Sequence, residues 1–298
     1  MKEDLNIARK GKIIVKHLAG THHNEESAPF FSLVEFNICG LCNRTCPFCP
    51  RANPDYPNKA EYIPLDLYEK VMSDLSDIGY TGVILYSAFS EPLLHKQVDQ
   101  LIFLSKRYCP QARVEIVTNG DFLTSNKLIS LFEAGLNTIL ISLYDGPHQH
   151  ERFLAMKHEA ALNDNQFILR VRYLPKEEHY GITMSNRAGL LNLEDIGIVP
   201  LDRPLKQYCC YPFYQCVVDY DGSVLLCPHD WKRALIAGNL NNESLLDIWN
   251  GKVMSQARKR LLNRNRNFSP CKVCDVDGTK MGRKHFKLWQ RFYEKQSN

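Results

Sequence analysis

Four cysteines fall within the segment NICGLCNRTCPFCPR (residues 37–51): Cys39, Cys42, Cys46 and Cys49. Thiols this close form a disulfide knot, a zinc site or the ligands of a redox centre. The last three read C-x3-C-x2-C, a compact trio on one loop, whereas zinc sites join two close ligands to a second pair well downstream. Thiolate softness selects zinc, copper(I) or iron–sulfur, and the spacing by itself does not choose among them. The chain holds eleven cysteines, so at least one stays outside any complete pairing. The N-terminal stretch MKEDLNIARKGKIIVKHLAG lacks the apolar core of a signal peptide. No window approaches the roughly 18 apolar residues of a membrane span. These features imply a cytoplasmic protein whose reduced thiols serve as ligands or reactive groups rather than disulfides.

The 298 residues, 44% hydrophobic, are enough for a large core, and the net charge of +4 is mild. Lys and Arg are interspersed with acids until ARKRLLNRNRN, which argues against a nucleic-acid-binding protein. A strand over residues 32–38, SLVEFNI, leads directly into the cysteine loop. Helical spacing over 64–79 stops at Gly79. Strands at GVILYSAF, ARVEIVTNG, NTILISLYDG and FILRVRYLP then alternate with helices near 94–107, 124–134 and 149–163. Such alternation predicts right-handed crossovers and a parallel sheet or partial barrel. The cysteine loop, SAFSEP, TNGD and SLYDG all fall at strand carboxyl ends, where parallel sheets gather their chemistry. Periodicity dissolves over residues 176–207. Beyond it come a hairpin, QCVVDYDGSVLLC, turning at Asp-Gly, and a helix, SLLDIWNGKVMSQARKRLL. After Cys271 and Cys274 the basic tail GRKHFKLWQRFYEKQ reads as an amphipathic helix, with docking of an acidic partner as the alternative.

At Cys42, Cys46 and Cys49, with Phe48 before the last, the chain resembles the radical S-adenosylmethionine (radical SAM) superfamily. The resemblance implies a [4Fe–4S] cluster on those three thiols, with S-adenosyl-L-methionine chelating the open iron. It implies a partial (β/α)6 TIM-like barrel carrying a small C-terminal domain of β-hairpin and helix. Glu91 and Pro92 match a Gly-Gly-Glu-Pro-like motif that contacts the cofactor's amino group, although Phe89 and Ser90 replace its glycines. Ser142 resembles the ribose-contacting serine, and Arg170 or Arg172 the carboxylate-binding arginine. Asn119 joins this cofactor set, and Cys39 is expected as a small buried hydrophobe.

Cys210, Cys227, Cys271 and Cys274 resemble the SPASM and shorter Twitch extensions, which carry auxiliary iron–sulfur clusters. No cysteine follows Cys274, so one auxiliary [4Fe–4S] cluster is expected, with a zinc ribbon as the competing reading. Of the adjacent Cys209 and Cys210, the resemblance implies Cys210, because Pro212, Phe213 and the following strand stand at the family's usual distance from it. Cys216 and Cys209 are candidate hydrogen-atom donors, and His229 and His179 candidate bases. The expected domains are an N-terminal extension over 1–29, the barrel over 30–205 and the auxiliary domain over 206–298.

The resemblance implies oxidation of a small polar substrate, a sugar or an aminocyclitol, supplied with electrons by a flavodoxin- or ferredoxin-type reductant. The competing readings are a radical epimerase of a sugar or peptide, a ribosomal-peptide maturase, and a non-enzymatic electron carrier or sensor.

Overall fold

A computed structural model describes residues 5–20 and 28–296 of the chain. It contains two compact units. One comprises Phe36–Met184 with Asp219–Asp221, and the other the residues up to Glu35, Ser185–Val218 and Gly222 onward. In chain order the first elements are α1 (Leu5–Gly20), β1 (Leu33–Phe36), α2 (Leu65–Asp77), β2 (Val83–Tyr86), α3 (Val98–Tyr108), β3 (Arg113–Thr118), α4 (Ser125–Glu133), β4 (Thr138–Leu143), α5 (His148–Glu159) and β5 (Phe167–Val171).

These strands lie in the order β5-β4-β3-β2-β1. Parallel pairing joins β2 to β3 (Val83↔Arg113), β3 to β4 (Glu115↔Thr138) and β4 to β5 (Ile139↔Phe167). VILY and TILISL are buried along their whole length, as continuous apolar runs in a doubly covered parallel sheet should be. Helix α2 buries Leu67, Tyr68, Val71, Met72 and Leu75, the stripe its periodicity predicts. Thr124 caps α4 by accepting from the Lys127 N–H. Inside, the hydroxyls of Tyr68, Tyr86 and Ser105 close a buried ring with O···O distances of 2.5, 2.6 and 2.8 Å, joining α2, β2 and α3 without an orphan polar atom. The expected open barrel is present, with five such strands rather than the six of the expectation. After β5 the chain enters turns in which His179, Tyr180 and Gly181 all take positive φ, which ends the β/α alternation.

The second unit holds α6 (Tyr211–Tyr214), β6 (Gln215–Val218), β7 (Ser223–Leu225), β8 (Ile236–Asn239), α7 (Leu245–Asn250), α8 (Lys252–Leu262) and α9 (Arg283–Gln296). The hairpin pairs Val217 with Leu225, and Gly222 at φ +84° supplies its turn. A third strand, β8, absent from the sequence-based expectation, adds antiparallel to β7. The single helix expected over 244–262 breaks at Gly251, which is extended (ψ 167°) and where a Cβ would stand 2.8 Å from the Asp247 carbonyl. Arg258 pins the helices: its guanidinium lies 3.9 and 4.0 Å from the Trp249 and Trp289 ring centroids and donates to the carbonyls of Trp249 and Pro212. Helix α9 is amphipathic as expected, burying His285, Trp289 and Tyr293 at four-residue spacing. Among the described residues no helix is long and apolar enough to cross a membrane.

Candidate functional site

The loop carrying Cys42, Cys46 and Cys49 is held by two arginines within it. Arg44 donates from Nε and Nη2 to Asp121 (2.6 Å each) and from Nη1 and Nη2 to Asp145 (2.7 and 2.6 Å). It thereby ties the cysteines to the loops after β3 and β4. Asn43 donates to Asp121 as well, and accepts from Asn119 Nδ2 at 2.8 Å. Buried Arg51 donates to the carbonyls of Phe89 (2.5 Å) and Gly40 (3.0 Å) and to Asn58, which fastens the same loop to the turn after β2. Phe48 stacks between Tyr144 (6.0 Å) and Tyr180 (4.8 Å), with the Arg44 guanidinium also 5.0 Å from Tyr144. Burial, then repulsion from Cys49 and Cys42, pushes the Cys46 thiol up to about 12. Burial raises Cys42 to about 11. A cationic metal centre is what would bring such thiols to the thiolate state.

Glu91 is fully engaged by the protein. It accepts from Leu93 N–H (3.0 Å), Thr118 Oγ1 (2.6 Å) and Asn119 N–H (2.7 Å), which locks the ends of β2 and β3 together. Burial raises its carboxyl to about 7 against the pull of those donors. Pro92 opens a 3₁₀ turn that Glu91 caps. Where the related motif has glycines at 89 and 90, the left-handed residue here is Ala88 (φ +78°). Ser142 and Arg170 are register partners, with Arg170 Nη2 donating to Ser142 Oγ at 2.8 Å. Arg172 instead donates to the carbonyls of Val171 and Gly181. Half-buried Tyr144 stands among Ser142, Arg170, Arg172 and Cys46, and desolvation followed by Cys46 raises it to about 12. Cys39 is buried and donates weakly to the Glu91 carbonyl.

In the second unit Cys209, Cys227, Cys271 and Cys274 act on one another, and Cys210 is coupled to Cys209. Burial and then mutual repulsion raise Cys227 and Cys271 well above the ordinary thiol value, and burial lifts Cys274 to about 11. The expectation named Cys210, whose thiol is raised to about 12 by burial and then by Cys209 beside it. Cys210 precedes the first residue of α6, and its side chain packs with Ile14 and Tyr214, bordered by Tyr208, Met281 and Phe286. Cys216, a candidate donor, is fully buried on β6, with Arg258 as its charged neighbour, and burial lifts its thiol to about 12. Among the described residues no three His, Cys, Asp or Glu side chains are arranged to hold a single metal ion.

Sequence reasoning passed over Asn43, Arg44, Arg51, Asp121 and Asp145, although polar residues at strand carboxyl ends were a usable signal for them. It also passed over Arg187, for which a single sequence carries no signal. Arg187 and Ala188 take φ of +48° and +52°, an uncommon strain for side-chain-bearing residues. Arg187 Nε is buried and makes no hydrogen bond. The guanidinium acts electrostatically on Tyr211 and on His229, which burial first, then Arg187, lowers to about 3. His229 meets Ser185 Oγ at 3.3 Å and the Tyr211 ring edge-on at 5.0 Å. His179 sits in the strained turn after β5.

Residues 36–162 match the radical SAM superfamily model, and residues 209–275 match the SPASM iron–sulfur cluster-binding domain. The chain is 31% identical over 246 residues to an S-adenosyl-L-methionine-dependent 2-deoxy-scyllo-inosamine dehydrogenase from Niallia circulans, covering 82% of this chain and 93% of the relative. The chain belongs to the radical SAM superfamily. Among solved structures, BtrN in complex with AdoMet and 2-DOIA superposes with a TM-score of 0.70 at 27% identity, covering 86% of this chain and 97% of that one. An open conformation of BtrN gives 0.62 at 25% identity, covering 84% and 94%. The anSMEcpe enzyme with bound AdoMet, at 14% identity and 0.52 over 89% and 93%, shares the fold.

As a radical SAM enzyme with a SPASM-type extension, the chain uses [4Fe–4S] clusters and S-adenosyl-L-methionine. Its residues fit them. Both cysteine groups offer soft sulfur donors, and Asp230, a carboxylate that acts on Cys227, accepts from the Ala234 and Leu235 N–H groups. The second group also rests against a glycine without room for a Cβ: at Gly278 that atom would collide with the Cys209 sulfur.

Proposed function

We propose that this enzyme dehydrogenates a small hydroxyl-bearing substrate of the aminocyclitol class, with Cys42, Cys46 and Cys49 holding the S-adenosylmethionine-binding cluster and Cys209, Cys227, Cys271 and Cys274 the auxiliary one. When bound, these groups supply hydrogen-atom removal at a carbinol carbon and acceptance of the one electron left after a proton departs. The observation that carries the reading is the four-thiol set: four thiolates complete the coordination of one cluster and suit it to electron transfer rather than to binding substrate. The resemblance to the 2-deoxy-scyllo-inosamine dehydrogenase supplies the substrate class.

The protein's own residues position and neutralise. Arg44 and Arg51 fix the cysteine loop, and Phe48, Tyr144 and Tyr180 provide an apolar wall beside it. Arg170, with Ser142 as partner, offers a cation to a carboxylate and a hydroxyl to a ribose. Glu91 and Asn119 shape the strand ends beneath. Arg187, Tyr211 and neutral His229 form a polar group near Cys227 suited to hydroxyls and amines of a cyclitol. Epimerisation is disfavoured because it requires a cysteine to return a hydrogen atom, while Cys209 lies in the thiol set and Cys216 in the core. A flavodoxin- or ferredoxin-type reductant and a cytoplasmic location complete the reading.

The test is an anaerobic turnover of reconstituted enzyme with dithionite, S-adenosylmethionine and 2-deoxy-scyllo-inosamine deuterated at its carbinol carbons. Deuterium in 5′-deoxyadenosine together with a ketone product is the expected result. Return of a solvent hydrogen to an unoxidised product would establish epimerisation instead. Deoxyadenosine free of deuterium would exclude this substrate class.

A further inference from the structure

The auxiliary unit contains a buried cation that the reaction as described does not use. Arg266 is 2% exposed, five positions before Cys271. Its Nε donates to the Gln207 carbonyl (3.0 Å), Nη1 to Val276 (2.7 Å), and Nη2 to Tyr208 (2.9 Å) and Asp277 (2.7 Å). Every hydrogen bond it makes goes to backbone, and among the described residues no carboxylate pairs with it. The Asp277 side chain accepts from Thr279 instead. A desolvated guanidinium is costly unless something answers its charge. Neutral carbonyls satisfy its protons, and the groups that feel its charge include Asp277 and the thiols Cys209, Cys271 and Cys274.

The carbonyls come from two segments, residues 207–208 immediately before Cys209 and residues 276–277 just after Cys274. One planar fork thus sets the separation of the ligand that opens the thiol set from the ligand that closes it. The fit is tight. Gly278 turns the chain at φ +72° and its carbonyl receives the Cys210 N–H at 2.7 Å, while a Cβ there would meet both the Cys209 sulfur and, at 3.3 Å, Arg266 Nη2. The guanidinium therefore lies against the Cys209 side of the site. It also acts favourably on thiolates at Cys271 and Cys274.

We propose that Arg266 is a positioning residue that sets the reduction potential of the auxiliary centre, holding one permanent positive charge beside its thiolates so that the centre takes up the substrate's electron more readily. Four thiolates around one cluster leave net negative charge, and reduction adds another. A fixed cation stabilises the reduced form more than the oxidised one and raises the potential. The inference rests on the auxiliary-cluster assignment above.

The test uses full-length protein carrying Cys42, Cys46 and Cys49→Ala, so that iron reports the auxiliary site alone, with Arg266→Gln and Arg266→Lys added to that background. Iron content and an EPR-monitored redox titration are the readouts. In Arg266→Gln the reduction equilibrium is expected to fall at least tenfold, about 59 mV for one electron. Arg266→Lys, which keeps the charge but not the fork, is expected to stay closer to the parent. Full iron with an unmoved potential in Arg266→Gln overturns the proposal, as does loss of iron from both variants, which would make Arg266 a structural clamp alone. If only Arg266→Gln loses iron, a parental potential in Arg266→Lys supports the proposal and a tenfold drop overturns it. A parent protein that binds no iron would instead refute the auxiliary-cluster assignment.

Discussion

Glu91 is the residue whose surroundings most change its chemistry. An ordinary glutamate is ionised at neutral pH, but burial lifts this one to about 7 from 4.5 even with Thr118, Leu93 and Asn119 donating to it. A carboxyl whose folded value is raised contributes stability that is complete below 4.5 and lost as pH rises through about 7, because the native state then holds a proton the unfolded chain has released. The difference in unfolding free energy between wild type and Glu91→Gln should therefore change by on the order of 3 kcal/mol between pH 4.5 and 8. Urea denaturation at several pH values measures it, and a flat difference would mean that Glu91 is ionised throughout. Cys209 and Cys210 make the same point without titration. They are adjacent in sequence, yet one faces three other thiols while the other packs among Ile14 and Tyr214.

At the scale of elements, the cysteine loop is positioned by the loops at the ends of the neighbouring strands rather than by its own backbone. Arg44 reaches Asp121 after β3 and Asp145 after β4, and these carboxylates hold its guanidinium firmly charged, Asp145 most strongly. Groups that orient metal ligands typically change affinity 10–100-fold when removed. Arg44→Gln is expected to weaken S-adenosylmethionine binding to the reconstituted enzyme within that range. Asp121→Asn should cost more than Asp145→Asn, because the Asp145 side chain is 48% exposed against 24% for Asp121 and its ion pair is better screened. Isothermal titration of the three variants provides the ranking, and equal affinities would show that the clamp does not reach the cofactor. The helices of the other unit obey the same logic, with Gly251 ending α7 and Arg258 clamped between Trp249 and Trp289.

At the scale of the whole molecule, each compact unit carries one thiol set, so the chemistry should be separable by mutation. Cys209→Ala is expected to lower the iron of reconstituted protein from about eight to about four per chain. It should still form 5′-deoxyadenosine while losing the oxidised product. Cys210→Ala should keep all the iron and the product, at a cost of about 1 kcal/mol in unfolding free energy from the vacated packing. Iron analysis with product chromatography distinguishes the two, and the opposite pattern would return Cys210 to the ligand set.

Much of this was legible in one dimension. Period-3.6 and continuous apolar runs marked the β/α units, and C-x3-C-x2-C at the end of a first strand marked the chemistry, because covalent spacing and periodicity are local properties of a chain. The three-dimensional structure decided the rest. It buried Cys210 beside Ile14 and Tyr214 and put Cys216 in the core. It broke a predicted helix at Gly251 and added β8. It also assembled Arg44, Arg51, Arg187 and Arg266, whose partners lie far from them in sequence. Which way a side chain faces depends on the neighbours that bury it, and those neighbours arrive only when the chain has folded.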